Sequence, residues 1–192
     1  MSKQLWVLTG GNGAGKSTFY RTRLAPLGMP FINADMIAKE LFPDSPEAHS
    51  YLAAQIAEEK RNELLLAGHT FCFETVFSHP SKVDFVARAK ALGYQVILVL
   101  IHLDNVGLNK ARISQRIEEG GHSVPDQKVE ERIPRVLKWV KAAAPLCDQV
   151  RALDNTSASK PFKAVFTVRN GDLKGADVHI DSLPEWAEDF LS

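Results

Sequence analysis

Short apolar runs alternate along this chain with longer stretches whose apolar positions recur at helical spacing. Leu5-Trp6-Val7-Leu8 is the first run and predicts a strand. A helix is expected over 17–24, closed by Pro26 and Gly28, then a short strand over 30–34. Residues 36–42 read as a brief helix capped by Asn33 or Asp35 and ended by Pro43. Ser45-Pro46-Glu47 reads as the opening of a longer helix, in which Ala48, Leu52 and Ile56 form the core stripe, up to Ala67 and Gly68.

The alternation continues in the second half. Residues 69–73 predict an aromatic-rich strand ending in Glu74-Thr75, and Ser78-His79-Pro80 opens a helix that stops at Gly93. Residues 94–103 are almost unbroken in apolar character, which suits a parallel strand covered on both faces. Helices are expected over 106–119 and 126–144, separated by Gly120-Gly121-His122-Ser123-Val124-Pro125, then a fifth strand over 149–153. Beyond Lys160 the pattern changes to a hairpin or edge ribbon, 164–169 and 178–180 around Asn170-Gly171-Asp172, with a short closing helix from Leu183-Pro184-Glu185-Trp186. Together these predict one α/β domain over 1–192, with a five-stranded, mostly parallel sheet covered by helices on both faces.

Composition narrows the classes. The chain has 192 residues, ample for one buried core, and 23 basic against 23 acidic residues leave no net charge to hold nucleic acid or an anionic membrane. Phosphate binding would therefore have to be local. Two cysteines make no secreted disulfide framework, and Cys72 in its apolar run reads as a buried thiol. No run approaches the roughly 20 apolar residues of a membrane span, so a reducing, cytoplasmic setting is expected.

The chemistry is concentrated after the first strand. Gly10-Gly11-Asn12-Gly13-Ala14-Gly15-Lys16-Ser17-Thr18 matches the phosphate-loop pattern GxxxxGK followed by Ser or Thr. Its glycines let successive amide N–H groups turn inward around a phosphate, and the helix that follows points its positive end at the same anion. Lys16 is placed for the β and γ phosphates and the Ser17 hydroxyl for Mg²⁺.

Asp35, Glu74-Thr75, Asp104 and Asp154-Asn155 also follow expected strands, so a parallel sheet gathers them on the edge where ligands bind. Asp35 is read as the base that takes a proton from an attacking hydroxyl, against the simpler role of helix cap. Glu74 could help to hold Mg²⁺ through water or orient the acceptor, and Asp104 reads chiefly as a cap. Arg112 and Arg116 share a helix face, with Arg132 and Arg135 beyond the glycine break. Over residues 105–141 there are 8 Lys or Arg against 5 Asp or Glu. These helices read as a lid that brings guanidinium groups over a triphosphate, with Pro134 expected to kink or restart the second.

Residues 10–18, Asn33-Ala34-Asp35, Phe73-Glu74-Thr75, the lid arginines with Gly120-Gly121-His122, and Asp154-Asn155-Thr156 together resemble the zeta-toxin-like phosphate-loop kinases. The likeness spans about residues 5–157. It implies ATP or GTP with Mg²⁺ in the loop, Asp35 as base, Glu74 and Thr75 at the acceptor, and Arg112, Arg116, Arg132 and Arg135 on transferring phosphate. It also implies a small-molecule hydroxyl acceptor such as a UDP-N-acetylsugar and a restraining antitoxin. Those toxins place one residue between the Glu and the Thr, whereas here the two adjoin. Two alternatives stay open: a nucleotide-dependent switch, with Gln115 as its only candidate for positioning water, and a nucleoside or nucleotide kinase of the same fold.

Overall fold

A computed structural model describes residues 3–104, 106–118 and 126–192, with side chains except at 106, 110, 115–118 and 126–130. Strand β1 (Gln4–Thr9) lies between β3 (Phe71–Thr75) and β4 (Gln95–His102); β2 (Phe31–Ile32) flanks β3, and β5 (Gln149–Asp154) flanks β4. All four of these pairings are parallel. The five strands therefore end on one edge, which carries the phosphate loop, Asn33, Thr75, His102 and Asp154.

The expected ribbon is present, but it belongs to the same sheet. Strand β6 (Lys163–Arg169) pairs antiparallel with β5, and β7 (Asp172–Val178) pairs antiparallel with β6, giving seven strands. The return strand starts earlier than expected because Asn170 and Gly171, at φ 50° and 73°, make a two-residue turn of the kind that matches strand twist.

Helices cover both faces. On one, α3 (Ser50–Leu66), α4 (Ser81–Ala91), α6 (Asp126–Ala143) and α7 (Glu185–Leu191) deliver Leu65, Phe85, Val86, Val136, Val140, Trp186 and Phe190 onto Val7, Phe73, Leu98 and Phe166. On the other, α1 (Lys16–Phe19), its continuation through Leu24, and α5 (Val106–Glu118) cover Leu8, Cys72, Val99 and Ile101. The first helix differs from expectation in form. After Phe19 it widens into a π-type turn over Tyr20–Leu24 and tightens into a 3₁₀ turn over Ala25–Leu27, which accommodates Pro26. Helix α6, by contrast, runs continuously through Pro134.

The expected stripe of the long helix holds only at Ile56, which packs half-buried against Ile37, Ala38, Ala53 and Ala57, while Ala48 and Leu52 are exposed. Helix α3 begins at Ser50, preceded by turns around Pro46, and it buries Ala53, Ala57, Arg61 and Leu65. Leu52 is 43% exposed. Shape outweighs hydrophobicity here: α2 (Ala34–Leu41) packs on α3 through Ile37 and Ala38 against Ala53 and Ala57, and the small side chains allow the two axes a close approach.

Asp148 ties the central strands together. Its carboxylate accepts from Lys90 Nζ at 2.9 and 2.8 Å and from the Val96 N–H at 2.7 Å. Burial alone would raise its pKa, but Lys90 and the Val96 N–H outweigh burial and hold it below the usual aspartate value. A carboxyl depressed on folding stabilises the native state above its unfolded pKa and ceases to do so as the pH falls through its folded one. Asp148→Ala should therefore lose about 1–2 kcal/mol in urea unfolding at pH 7. The deficit should shrink below about pH 4, where the wild-type carboxyl also becomes protonated.

Cys72 and Cys147 are buried and unpaired with each other. Burial pushes the Cys147 thiol up to about 12 and Cys72 well above its ordinary value, with Glu74 adding to the latter. Both are inert packing residues at neutral pH. Among the described residues no helix is long and apolar enough to cross a membrane.

Candidate active site

The loop between β1 and α1 is held by three elements. Gly10 has φ 146°, and a Cβ there would collide with the Ile101 carbonyl oxygen at the end of β4. Gly15 precedes α1 at φ 100°, where a Cβ would lie 2.5 Å from Asn155 Nδ2. Both positions thus require glycine for conformation and for space. From beyond β5, Asn155 Nδ2 donates to the Ala14 carbonyl at 2.8 Å, and Asn155 is itself buried. From α5, Asn109 Nδ2 donates to the Asn12 carbonyl at 2.7 Å, and from α6, Arg132 donates to Asn12 Oδ1 at 3.0 Å.

Lys16 folds back under this loop. Its Nζ donates to the carbonyls of Gly10 at 3.0 Å and Gly11 at 2.9 Å and lies 3.8 Å from Glu74 Oε1, with only 6% of the residue exposed. The ammonium is thereby fixed against the loop's own carbonyls, beside Glu74. Thr18 follows within α1.

Glu74 is the junction of the site. Its Oε2 accepts from Ser17 Oγ at 2.6 Å and from Asn33 Nδ2 at 2.6 Å, so one carboxylate joins the ends of β1, β2 and β3. Ser17 and Glu74 are hard oxygen donors on one side of the ammonium, and that donor chemistry fits Mg²⁺ completed by water and phosphate oxygens.

Asn33 also settles the capping question. Its Oδ1 accepts from the Met36 N–H at 3.0 Å, making it the N-cap of α2. Asp35 lies exposed in the first turn of that helix, two residues beyond the Glu74 partner. Thr75 is occupied locally: its hydroxyl accepts from the Phe77 N–H at 3.3 Å, where Phe77 is buried at φ 62°.

The three lid arginines with described side chains separate. Arg112 donates to the Asn155 carbonyl at 3.0 Å, and Arg132 reaches Asn12, so these two meet the loop's surroundings. Arg135 instead pairs with Glu131 at 3.0 Å on an exposed face. The side chains of Arg116 and Gln115, and the Gly120–Pro125 break, lie outside the described residues. Asp104 is exposed, and its N–H donates to Thr156 Oγ1 at 3.0 Å. The part played by Asn109 and the bond from Asn33 to Glu74 were not anticipated. Asn109 is 1% exposed with its Oδ1 unpartnered, and Asn33 bridges Glu74 to α2.

A family model described as an AAA domain matches residues 5–142. The chain belongs to that AAA-domain family. An uncharacterised protein of Haemophilus influenzae is 30% identical over 137 residues, 68% of this chain and 97% of its own length. Among solved structures, a chain of the AvrRxo1-ORF1:AvrRxo1-ORF2 complex with sulphate ions superposes with a TM-score of 0.73 at 17% identity. That match covers all of this chain, which spans 64% of the AvrRxo1 chain's length; the same complex has been determined with ATP. The PezAT toxin-antitoxin system of Streptococcus pneumoniae gives a TM-score of 0.66 at 16% identity, covering 99% of this chain and 82% of that one. At these identities the likeness concerns the fold. This AAA-domain chain has the α/β phosphate-loop kinase-like architecture, with a mostly parallel sheet between helices.

Proposed function

We propose that this protein is a kinase of the zeta-toxin type, transferring the γ-phosphoryl group of ATP, or of GTP, to a hydroxyl of a small molecule. A nucleotide sugar of the UDP-N-acetyl kind is the acceptor to test first. The observation that carries this reading is the position of Glu74, which touches Ser17 on the nucleotide side and Asn33, the cap of the Asp35 helix, on the other. A simple nucleotide-binding loop has no need of a carboxylate-bearing helix tethered to it.

The loop's amides and the N-terminus of α1 would hold the phosphates, and Lys16 would neutralise the γ-phosphoryl oxygens. Mg²⁺, held by Ser17 and by Glu74 through water, would share the phosphate charge. The acceptor oxygen attacks the γ-phosphorus in line as the bond to the β-phosphate oxygen breaks, and Asp35 takes the hydroxyl proton. Glu74 and Thr75 would orient the acceptor. Arg112, Arg116, Arg132 and Arg135 on α5 and α6 would exclude water and stabilise the moving charge, with Asn155 holding the loop beneath them. An antitoxin protein as partner is part of the same proposal, prompted by the PezAT likeness.

The test is to incubate the protein with Mg·ATP or Mg·GTP and pools of UDP-sugars, nucleotides and simple sugars, reading mass spectra for a gain of one phosphoryl group. A phosphorylated alcohol is the expected result. Hydrolysis without any phosphorylated acceptor would overturn the kinase reading and favour a nucleotide switch.

A further inference from the structure

Arg61 stands where helix α3 should carry an aliphatic residue. It continues the buried stripe of Ala53 and Ala57 and precedes Leu65, and it is only 7% exposed. Its guanidinium carbon lies 5.1 Å from the centre of the Phe73 ring and 5.8 Å from that of Phe85. Two aromatic faces favour a cation, but they supply no hydrogen-bond acceptor in the guanidinium plane. The Nε proton is accordingly buried without a partner.

A second cation stands one turn before Phe85, the α4 residue whose ring the guanidinium also faces. Lys82, half-buried in the first turn of α4, has its pKa lowered by burial and then by Arg61, with Glu58 opposing. Burial likewise lowers Arg61, again opposed by Glu58. Glu58 is exposed, and among the described residues no carboxylate pairs with either cation within 4 Å. Two neighbouring positive groups withdrawn from water without a fixed counter-charge are costly, and an incoming anion offsets that cost.

Their place in the fold indicates which anion. Phe73, under the guanidinium, immediately precedes Glu74 on β3, and α3 packs on α2, the helix whose first turn holds Asp35. Because consecutive strand residues face opposite sides of a sheet, the Arg61 guanidinium lies on the face that α3, α4 and α6 cover, and Lys82 sits at the start of α4, a few residues beyond the end of β3 that carries Glu74. We propose that Arg61 and Lys82 form an anion subsite for a phosphate or carboxylate group carried by the acceptor, so that the alcohol phosphorylated here is an anionic molecule and neutral sugars are poor substrates. The acceptor part of this proposal rests on the kinase reading above; the anion site itself does not.

The protein is first saturated with Mg²⁺ and a non-hydrolysable ATP analogue, which fills the phosphate loop, then titrated with inorganic phosphate and separately with acetate by calorimetry. Wild type should show one further anion site, and the stronger of the two probes identifies the group preferred. Arg61→Met and Lys82→Met should each weaken it at least tenfold while leaving affinity for the ATP analogue unchanged. Arg61→Met keeps the volume of the stripe and should melt no lower than wild type, whereas an arginine retained only for packing would lower the melting temperature. Lys82→Met, at a half-buried position, decides the matter should Arg61→Met fold poorly.

With acceptors found by mass spectrometry, the same variants should raise acceptor KM at least tenfold for anionic alcohols with a smaller change in kcat. Absence of a second anion site in wild type, or its persistence in both variants, overturns the subsite. If phosphate binds as expected but no alcohol is phosphorylated, the anion site stands and the kinase reading fails. Unchanged acceptor KM in both variants leaves the kinase reading standing and refutes the subsite.

Discussion

Lys16→Ala is expected to reduce turnover by about 10³-fold or more and to weaken Mg·ATP binding to a degree visible in calorimetry. The Lys16 ammonium is buried, held by the carbonyls of Gly10 and Gly11 and close to Glu74. Removing it takes away the cation that the two carbonyl oxygens and the Glu74 carboxylate surround, so the γ-phosphoryl group would meet more negative charge. Arginine should not rescue the activity, because a planar five-donor fork cannot take the seat of a compact ammonium between two carbonyls 3.0 and 2.9 Å from its nitrogen. Turnover within tenfold of wild type in Lys16→Ala would mean that polyphosphate binds elsewhere.

Asp35→Asn should slow transfer by about 10²-fold or more while nucleotide affinity stays within about twofold. The substitution keeps size and hydrogen-bonding reach and removes only the capacity to accept a proton. Because Asn33 already caps α2 through the Met36 N–H, the variant should lose no more than about 1 kcal/mol of stability, the scale of a carboxylate's interaction with a helix N-terminus. The two roles considered for Asp35 are therefore separable in one protein, by single-turnover kinetics and a melting curve. Transfer at the wild-type rate would exclude Asp35 as base. A large fall in melting temperature with unchanged kinetics would return it to a structural role.

Local pattern carried much of the architecture. The apolar run over 94–103 announced a doubly covered strand, and β4 is indeed flanked by parallel partners and buried along most of its length. Glycine spacing and Lys16-Ser17 located the phosphate loop, since the motif is a local device whose parts are adjacent in the chain. The α3 stripe failed, except at Ile56, for the converse reason. Periodicity identifies an apolar face, but which face meets a neighbour depends on how near that neighbour can come, and Ala53 and Ala57 allow α2 closer than Leu52 would. Arg61 was hidden by the same effect, a charged side chain on a face taken for solvent.

Partners distant in the chain were equally beyond reach. Asn109 and Asn155 lie 97 and 141 residues from the loop carbonyls they hold. The C-terminal ribbon, without evident purpose as a segment, becomes the antiparallel extension of β5, and α7 lays Trp186 beside His102 and Phe166 on the adjoining face.

From residue order alone came the alternation of strands and helices, the phosphate-binding loop and the placing of several carboxylates at strand ends, because these follow from backbone preference and periodicity over a few residues. Only the folded chain decided that Glu74 joins Ser17 to Asn33, that Asn33 and not Asp35 caps α2, and that a buried arginine of α3 lies over the Phe73 and Phe85 rings. Those are outcomes of side-chain packing among segments remote in sequence, where close approach and burial, not local pattern, determine which polar groups meet.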